Sequence, residues 1–170
     1  MSNEPKPRLI LDEELLKRAP KVLLHEHLDG GLRPSTCLEL AESCGYDGLP
    51  EEDPEGLARS FAAGANRKSL PLYLEGFGHT IAVMQTEEAL ARCAREAVED
   101  LAADGVVYAE LRFAPHFHTA QGLGLDAVME AVLDGLAQGT RSTGITARLL
   151  VCAMRNEEPE LSEKLAALAV

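Results

Sequence analysis

The sequence predicts an α/β fold in which helices cover a parallel sheet. Three short apolar runs, at residues 21–25, 106–113 and 145–154, have the length and the flanking residues of buried strands. A segment with helical periodicity follows each run, so strands and helices alternate along the chain. Strands that are apolar on both faces are typical of parallel sheets covered by helices. The chain is therefore predicted to contain three βα units.

The segments around the first strand carry boundary signals. Residues 1–10 are polar and interrupted by proline, which predicts a flexible arm, and a short helix is expected at 12–19. After the first strand, Thr36 and the glutamate three residues later, Glu39, resemble a capping box that begins a helix. Gly45 is expected to end this helix, because glycine readily adopts the left-handed conformation found there.

The rest of the chain alternates in the same way. Residues 47–68 are rich in Gly, Pro, Asp and Glu and are predicted to be an irregular insertion. Apolar spacing predicts helices at 70–84 and 86–104, then one at 125–141 and a last one at 158–170. The last helix is still periodic where the chain stops and has no terminating Gly or Pro, which favours a truncated chain.

Composition excludes several classes of function. The 170 residues carry a net charge of -12, whereas nucleic acids and anionic membranes bind clustered Lys and Arg. A small neutral ligand fits this charge better. No run of about 18 apolar residues and no signal-peptide pattern occurs, so a cytoplasmic location is expected. The four cysteines are scattered without a Cys-x-x-Cys pair and are expected to be reduced and buried: Cys37, Cys44, Cys93 and Cys152.

The segment His25-x-His27-x-Asp29 is the strongest functional signal. Alternate residues of a strand point to the same side, so all three side chains face one cavity at the end of the first strand. Two neutral imidazoles there can bind one zinc ion and leave a position open for water. By spacing alone, two solvated loop histidines are an equal alternative. The position at a strand end, before Gly30 and Gly31, favours the metal site.

A second histidine pair competes for this role. His116 and His118 also follow a strand, but Pro115 has already ended that strand and no carboxylate follows in register. His79 lies inside a helical stretch. These three histidines are weaker candidates for a metal, and their roles stay open.

Three blocks of the sequence resemble the adenosine deaminase family. They are residues 20–34 (PKVLLHEHLDGGLRP), residues 105–115 (GVVYAELRFAP) and residues 147–155 (ARLLVCAMR). The likeness covers nearly the whole chain in order. It implies a TIM (β/α)₈ barrel, of which residues 1–170 form the N-terminal part, with the first three βα units and a helical insertion after the first strand.

The resemblance also implies roles for individual residues. His25 and His27 correspond to two zinc ligands, and His27 and Asp29 correspond to groups that meet the ribose 5′-hydroxyl. An apolar lid over the substrate corresponds to four further residues: Leu70, Tyr73, Leu74 and Phe77. For these four, helical spacing is equally typical of ordinary core packing.

Two other charged features are interpreted structurally. Glu110 and Arg112 alternate on one face of the second strand and are predicted to form a buried charged pair. Glu26 alternates to the face opposite His25 and His27, so it is expected to point into the barrel wall and is given no catalytic role.

The family's remaining site residues come from later strands. A third histidine ligand, an aspartate ligand, a second catalytic histidine and the glutamate that donates a proton to the purine are all expected beyond Val170. No catalytic residue is therefore assigned within this chain. The chain alone is expected to be unstable and inactive, because three strands leave two open edges and an uncovered inner face.

The predicted function is zinc-dependent hydrolytic deamination of adenosine and deoxyadenosine to inosine and ammonia, in purine salvage. The predicted partner is a purine nucleoside, with no nucleic acid or membrane, and a homo-oligomer is compatible with the sequence. One alternative is a deaminase of another 6-aminopurine, such as aminodeoxyfutalosine or adenine. The other is a non-catalytic truncated product.

Overall fold

The sheet has three parallel strands in the order β1 (Lys21–His27), β2 (Val106–Phe113) and β3 (Thr146–Val151). The computed structural model describes residues 12–170, so the predicted arm at 1–10 lies outside the described residues. Ala109 in the central strand pairs with Leu23 on one side and Ala147 on the other. The predicted parallel α/β fold is confirmed. β1 runs two residues further than predicted, and β3 is shorter than predicted.

Seven helices accompany the sheet within the described residues. The helices that the sequence predicts begin and end within a few residues of their predicted bounds. They are α1 (Glu13–Arg18), α2 (Pro34–Cys44), α3 (Pro54–Ala65), α4 (Leu70–Val83), α5 (Glu87–Ala103), α6 (Leu125–Thr143) and α7 (Pro159–Leu168). Short 3₁₀ turns at Leu28–Gly30 and Pro115–His118 follow β1 and β2.

The prediction of an irregular insertion at 47–68 is wrong, because α3 occupies its centre. The Asp53 carboxylate accepts a hydrogen bond of 2.8 Å from the backbone N–H of Gly56, and Pro54 takes the first helical position. The Asp and Pro that suggested a loop are thus the start signal of a helix.

The predicted capping box at the start of α2 is also wrong. Arg33 is the N-cap residue and makes no side-chain capping bond, while Pro34 occupies the first turn. The Thr36 hydroxyl instead donates a 2.6 Å hydrogen bond to the buried carboxylate of Glu96 on α5. Gly45 ends α2 with φ +70°, as predicted.

Helices α5 and α6 cover one face of the sheet and form the main core with it. Their contact is close enough to require glycine, since a Cβ on Gly135 of α6 would lie 2.2 Å from the Ala91 carbonyl oxygen of α5. Leu111 and Phe113 of β2 reach this core from the sheet and are fully buried. The helices fix the strands, and therefore the residues at the strand ends.

The opposite face of the sheet is not covered by any part of the chain that the structure describes. Val22 and Leu24 of β1 are 60% and 58% exposed, and Leu150 of β3 is 40% exposed. This face is the inner face expected for the first three βα units of a barrel.

Helices α2, α3 and α4, which lie between β1 and α5 in the sequence, form a smaller core. Cys37 and Leu57 are fully buried there, together with Val83 at the end of α4. This insertion places α4 beside the turn that follows β1. No helix between residues 12 and 170 is long and apolar enough to cross a membrane. All four cysteines are free, as predicted, although Cys44 is exposed.

Candidate metal and substrate site

The end of β1 brings the two histidines together. Nε2 of His25 and Nε2 of His27 lie 3.3 Å apart. Two nitrogens bound to one tetrahedral zinc at about 2.0–2.1 Å lie roughly 3.3–3.4 Å from each other. The pair therefore fits two positions of a single zinc ion. Glu26, between them, lies on the helix-covered side beside Ala97 and Leu101 of α5, in agreement with its predicted position in the wall.

The predicted buried pair of Glu110 and Arg112 does not form. The Glu110 carboxylate accepts a 2.8 Å hydrogen bond from the Tyr108 hydroxyl. Nη1 of Arg112 lies 3.0 Å from Nε2 of His25. Both side chains face the inner side of the sheet, where each finds a different partner. Because Nε2 of His25 has one lone pair, a metal ion bound to it would displace the hydrogen bond from Arg112.

Asp29 lies in the turn directly after the histidines and is 5% exposed. Its Oδ1 is 3.8 Å from Nδ1 of His27 and makes no hydrogen bond with any residue from 12 to 170. Burial raises the pKa of Asp29, and the charges of His118 and His27 oppose this shift. A buried carboxylate oxygen without a partner can accept a hydroxyl group from a ligand.

A cavity of about 270 Å³ opens next to Asp29. The six predicted substrate residues all line it: His27, Asp29, Leu70, Tyr73, Leu74 and Phe77. Phe77 meets the His27 ring edge-on with centroids 5.6 Å apart. Leu70 and Leu74 are 67% and 50% exposed, so they form an open wall rather than a core. The structure brings the predicted residues together, and their roles in substrate binding stay predictions.

Sequence reasoning missed other residues that line this cavity. They are Ile81, Phe113, Ala114, Phe117, Cys152 and Met154, with Arg112 completing the lining. Most of them lie at or just beyond the carboxyl ends of β2 and β3. The general tendency of ligands to bind at this end of parallel strands could have identified them.

The other histidines lie apart from the His25 and His27 pair. His118 is fully buried, and its Nδ1 donates to the Met84 carbonyl oxygen at 2.9 Å. Burial lowers the pKa of both His118 and His116. His79 lies 2.8 Å from the Tyr46 hydroxyl, on the far side of α4. Within residues 12–170, no three His, Cys, Asp or Glu side chains are arranged to hold a metal ion, and the roles of His25 and His27 as zinc ligands stay predictions.

The sequence has clear relatives. A family model described as adenosine deaminase matches residues 20–170. The adenosine deaminase of Mycolicibacterium gilvum (strain PYR-GCK) is 57% identical over 162 residues, which are 92% of this chain and 44% of the relative. The chain thus spans less than half the length of this relative.

Solved structures share the fold. The adenine deaminase from Arthrobacter aurescens has a TM-score of 0.73 at 30% identity, covering 86% of this chain and 45% of that protein. An amidohydrolase from Burkholderia ambifaria with bound Zn has a TM-score of 0.76, covering 96% of this chain and 44% of that protein. At 24% identity, this second likeness concerns the fold alone.

Proposed function

The chain belongs to the adenosine deaminase family. On this basis we propose that the complete protein is a zinc-dependent hydrolase that converts adenosine to inosine and deoxyadenosine to deoxyinosine, with release of ammonia. One observation carries the proposal. The Nε2 atoms of His25 and His27 converge to 3.3 Å beside a cavity that contains the buried carboxylate of Asp29. A metal pair and a hydroxyl acceptor therefore lie together.

In this proposal His25 and His27 hold the metal. Zinc supplies a water whose pKa is lowered to about 7, which gives a strong nucleophile at neutral pH. A metal ion held by Nε2 of His25 would take the place of the Arg112 guanidinium, which lies 3.0 Å from that nitrogen. Residues 12–170 hold no group of three possible metal ligands, and Asp29, the only carboxylate among them that lines the cavity, is assigned to the sugar. In this proposal the third ligand and the acid that protonates the purine ring therefore come from strands outside this chain.

Asp29 orients the substrate. A carboxylate accepts hydrogen bonds, so Asp29 accepts the ribose 5′-hydroxyl, with His27 beside it. The same negative charge disfavours a 5′-phosphate. The apolar side chains of Tyr73, Leu74 and Phe77 shield the bound nucleoside from water.

Free adenine is the competing substrate, since the Arthrobacter aurescens relative is named an adenine deaminase. Adenine has no ribose and leaves the Asp29 carboxylate buried without a partner, which is unfavourable. We therefore favour a nucleoside. We also propose a role in purine salvage, because the proposed substrates and products are purine nucleosides. We propose a cytoplasmic location, because four free cysteines suit a reducing compartment.

The test uses the completed barrel, in which this chain is joined to the C-terminal part of the Mycolicibacterium gilvum relative that it does not match. Ultraviolet absorbance and ammonia release follow the reaction. We expect deamination of adenosine with a much higher kcat/KM than of adenine, loss of activity after chelation, and recovery with zinc. Deamination of adenine without deamination of adenosine would contradict the proposal, and so would activity that survives complete metal removal.

A further inference from the structure

The turn that carries Asp29 is held by one side chain of α4. The Thr80 hydroxyl donates a short hydrogen bond to the backbone carbonyl oxygen of Asp29. Thr80 is 3% exposed, so this bond is shielded from water. The same hydroxyl lies 3.1 Å from the Phe77 carbonyl oxygen one turn earlier. Among the described residues, this is the only hydrogen bond between α4 and the Leu28–Gly30 turn.

The turn also packs closely against α4 next to this hydrogen bond, where Gly30 faces the ring of Phe77. A Cβ on Gly30 would lie 2.6 Å from Cε1 of Phe77, so only glycine leaves room for the ring. Phe77 in turn contacts His27 edge-on. This packing restrains the turn on one side. The Thr80 hydrogen bond adds the directional restraint that packing lacks.

The orientation of the Asp29 carboxylate depends on this backbone restraint. Its Oδ1 has no hydrogen-bond partner within residues 12–170, and the donors that act on the carboxylate are the backbone N–H groups of Asp29 itself and of Ala114. The side chain is 8% exposed, so its surroundings leave little freedom once the backbone is placed. A displacement of about 1 Å between reacting or binding groups can reduce catalysis by roughly 100-fold.

We propose that Thr80 is a positioning residue for nucleoside binding, which holds the backbone of Asp29 so that the carboxylate meets the ribose 5′-hydroxyl. The inference rests on the proposed function of Asp29. It links α4, which carries the apolar wall, to the group that binds the sugar. Thr80 does not line the Asp29 cavity and acts only through Asp29.

The test compares two substrates in the completed barrel. Adenosine has the 5′-hydroxyl, and 5′-deoxyadenosine lacks it. For Thr80→Val we expect KM for adenosine to rise by about five- to tenfold with kcat within about twofold, since a lost ground-state contact acts mainly on KM. KM for 5′-deoxyadenosine should stay unchanged. Thr80→Ser keeps the hydroxyl and should retain the unsubstituted KM.

A matched control removes a hydroxyl elsewhere. The Thr143 hydroxyl donates to the Gly139 carbonyl oxygen at 2.7 Å on α6, remote from the cavity. Thr143→Val should leave the ratio of the two KM values unchanged. Hydrogen–deuterium exchange gives a second readout, because Thr80→Val should speed exchange at residues 28–31 without affecting α6.

The possible results distinguish a failure of the Thr80 role from a failure of the proposed function. An equal rise in both KM values, or no rise, overturns the positioning role of Thr80. If Thr80→Val does not fold, Thr80→Ala undergoes the same comparison with the same criteria. If the unsubstituted completed barrel deaminates neither nucleoside, the proposed function is overturned, and this inference with it.

Discussion

Gly135 tests whether the α5 and α6 contact sets the geometry of the sheet. A Cβ at this position would lie 2.2 Å from the Ala91 carbonyl oxygen and 2.8 Å from Cβ of Ala94. Ordinary contact begins near 3.4 Å, so Gly135→Ala requires the two helices to separate by about 1 Å. The obstacle is backbone, which cannot rotate away as a flexible side chain can.

The expected effect is the difference between two opposing contributions. Overpacking typically destabilises a protein by about 1–3 kcal/mol, and a backbone clash belongs at the upper end. Alanine is favoured over glycine inside a helix by roughly 1 kcal/mol. We therefore expect Gly135→Ala to lower the free energy of unfolding of the completed barrel by about 1–2 kcal/mol, measured by urea denaturation followed by circular dichroism.

Gly64→Ala is the matched control on α3. No atom lies within 4 Å of a Cβ added there, so the helix propensity acts without a clash. This variant should be more stable than the unsubstituted protein by up to about 1 kcal/mol. If Gly135→Ala is as stable as Gly64→Ala, the close approach of α5 and α6 is refuted.

Three further results are expected in the completed barrel. Asp29→Ala should raise KM for adenosine by about 10- to 150-fold, because hydrogen bonds to charged groups contribute about 1.5–3 kcal/mol, and an unchanged KM in steady-state kinetics would remove Asp29 from the substrate site. Burial alone raises the pKa of Glu96, but hydrogen bonds from Arg92 and Thr36 outweigh it and hold the pKa below its ordinary value. Ionised Glu96 thus stabilises the fold above about pH 4.3, and this contribution is lost as the pH falls through the lowered pKa. Glu96→Gln should therefore reduce the loss of urea stability on acidification, and an identical pH profile would contradict this. Among the cysteines of this chain, the exposed Cys44 should react first with a maleimide in mass spectrometry, and earlier labelling of a buried cysteine would contradict the fold.

The parts of the site that follow local rules were predictable from sequence. Strand alternation is enough to place His25 and His27 on one side of β1 and Glu26 on the other. Strand alternation does not account for Asp29, because β1 ends at His27 and Asp29 lies in the 3₁₀ turn that follows. Helical spacing predicts α4, but it does not show whether Leu74 faces a core or a cavity. That distinction depends on which elements surround the helix.

Contacts between distant segments were not predictable. The Thr80 hydroxyl reaches Asp29 across 51 residues of sequence, and Thr36 reaches Glu96 across 60. A hydroxyl that resembles a local cap can thus be used for tertiary packing. The Glu110 and Arg112 prediction failed because each side chain has another partner: Arg112 meets His25 of the neighbouring strand β1, and Glu110 accepts a hydrogen bond from Tyr108 on its own strand.

Metal content is the most direct test of the proposed site. Elemental analysis of the completed barrel should find one zinc ion per chain. His25→Ala should reduce zinc to background while the protein stays folded, because His25 belongs to neither hydrophobic core formed by residues 12–170. His79→Ala, which removes a histidine bound to Tyr46 instead, should keep full zinc occupancy. Full zinc occupancy in His25→Ala would contradict the assignment of His25 and His27 as a zinc-binding pair.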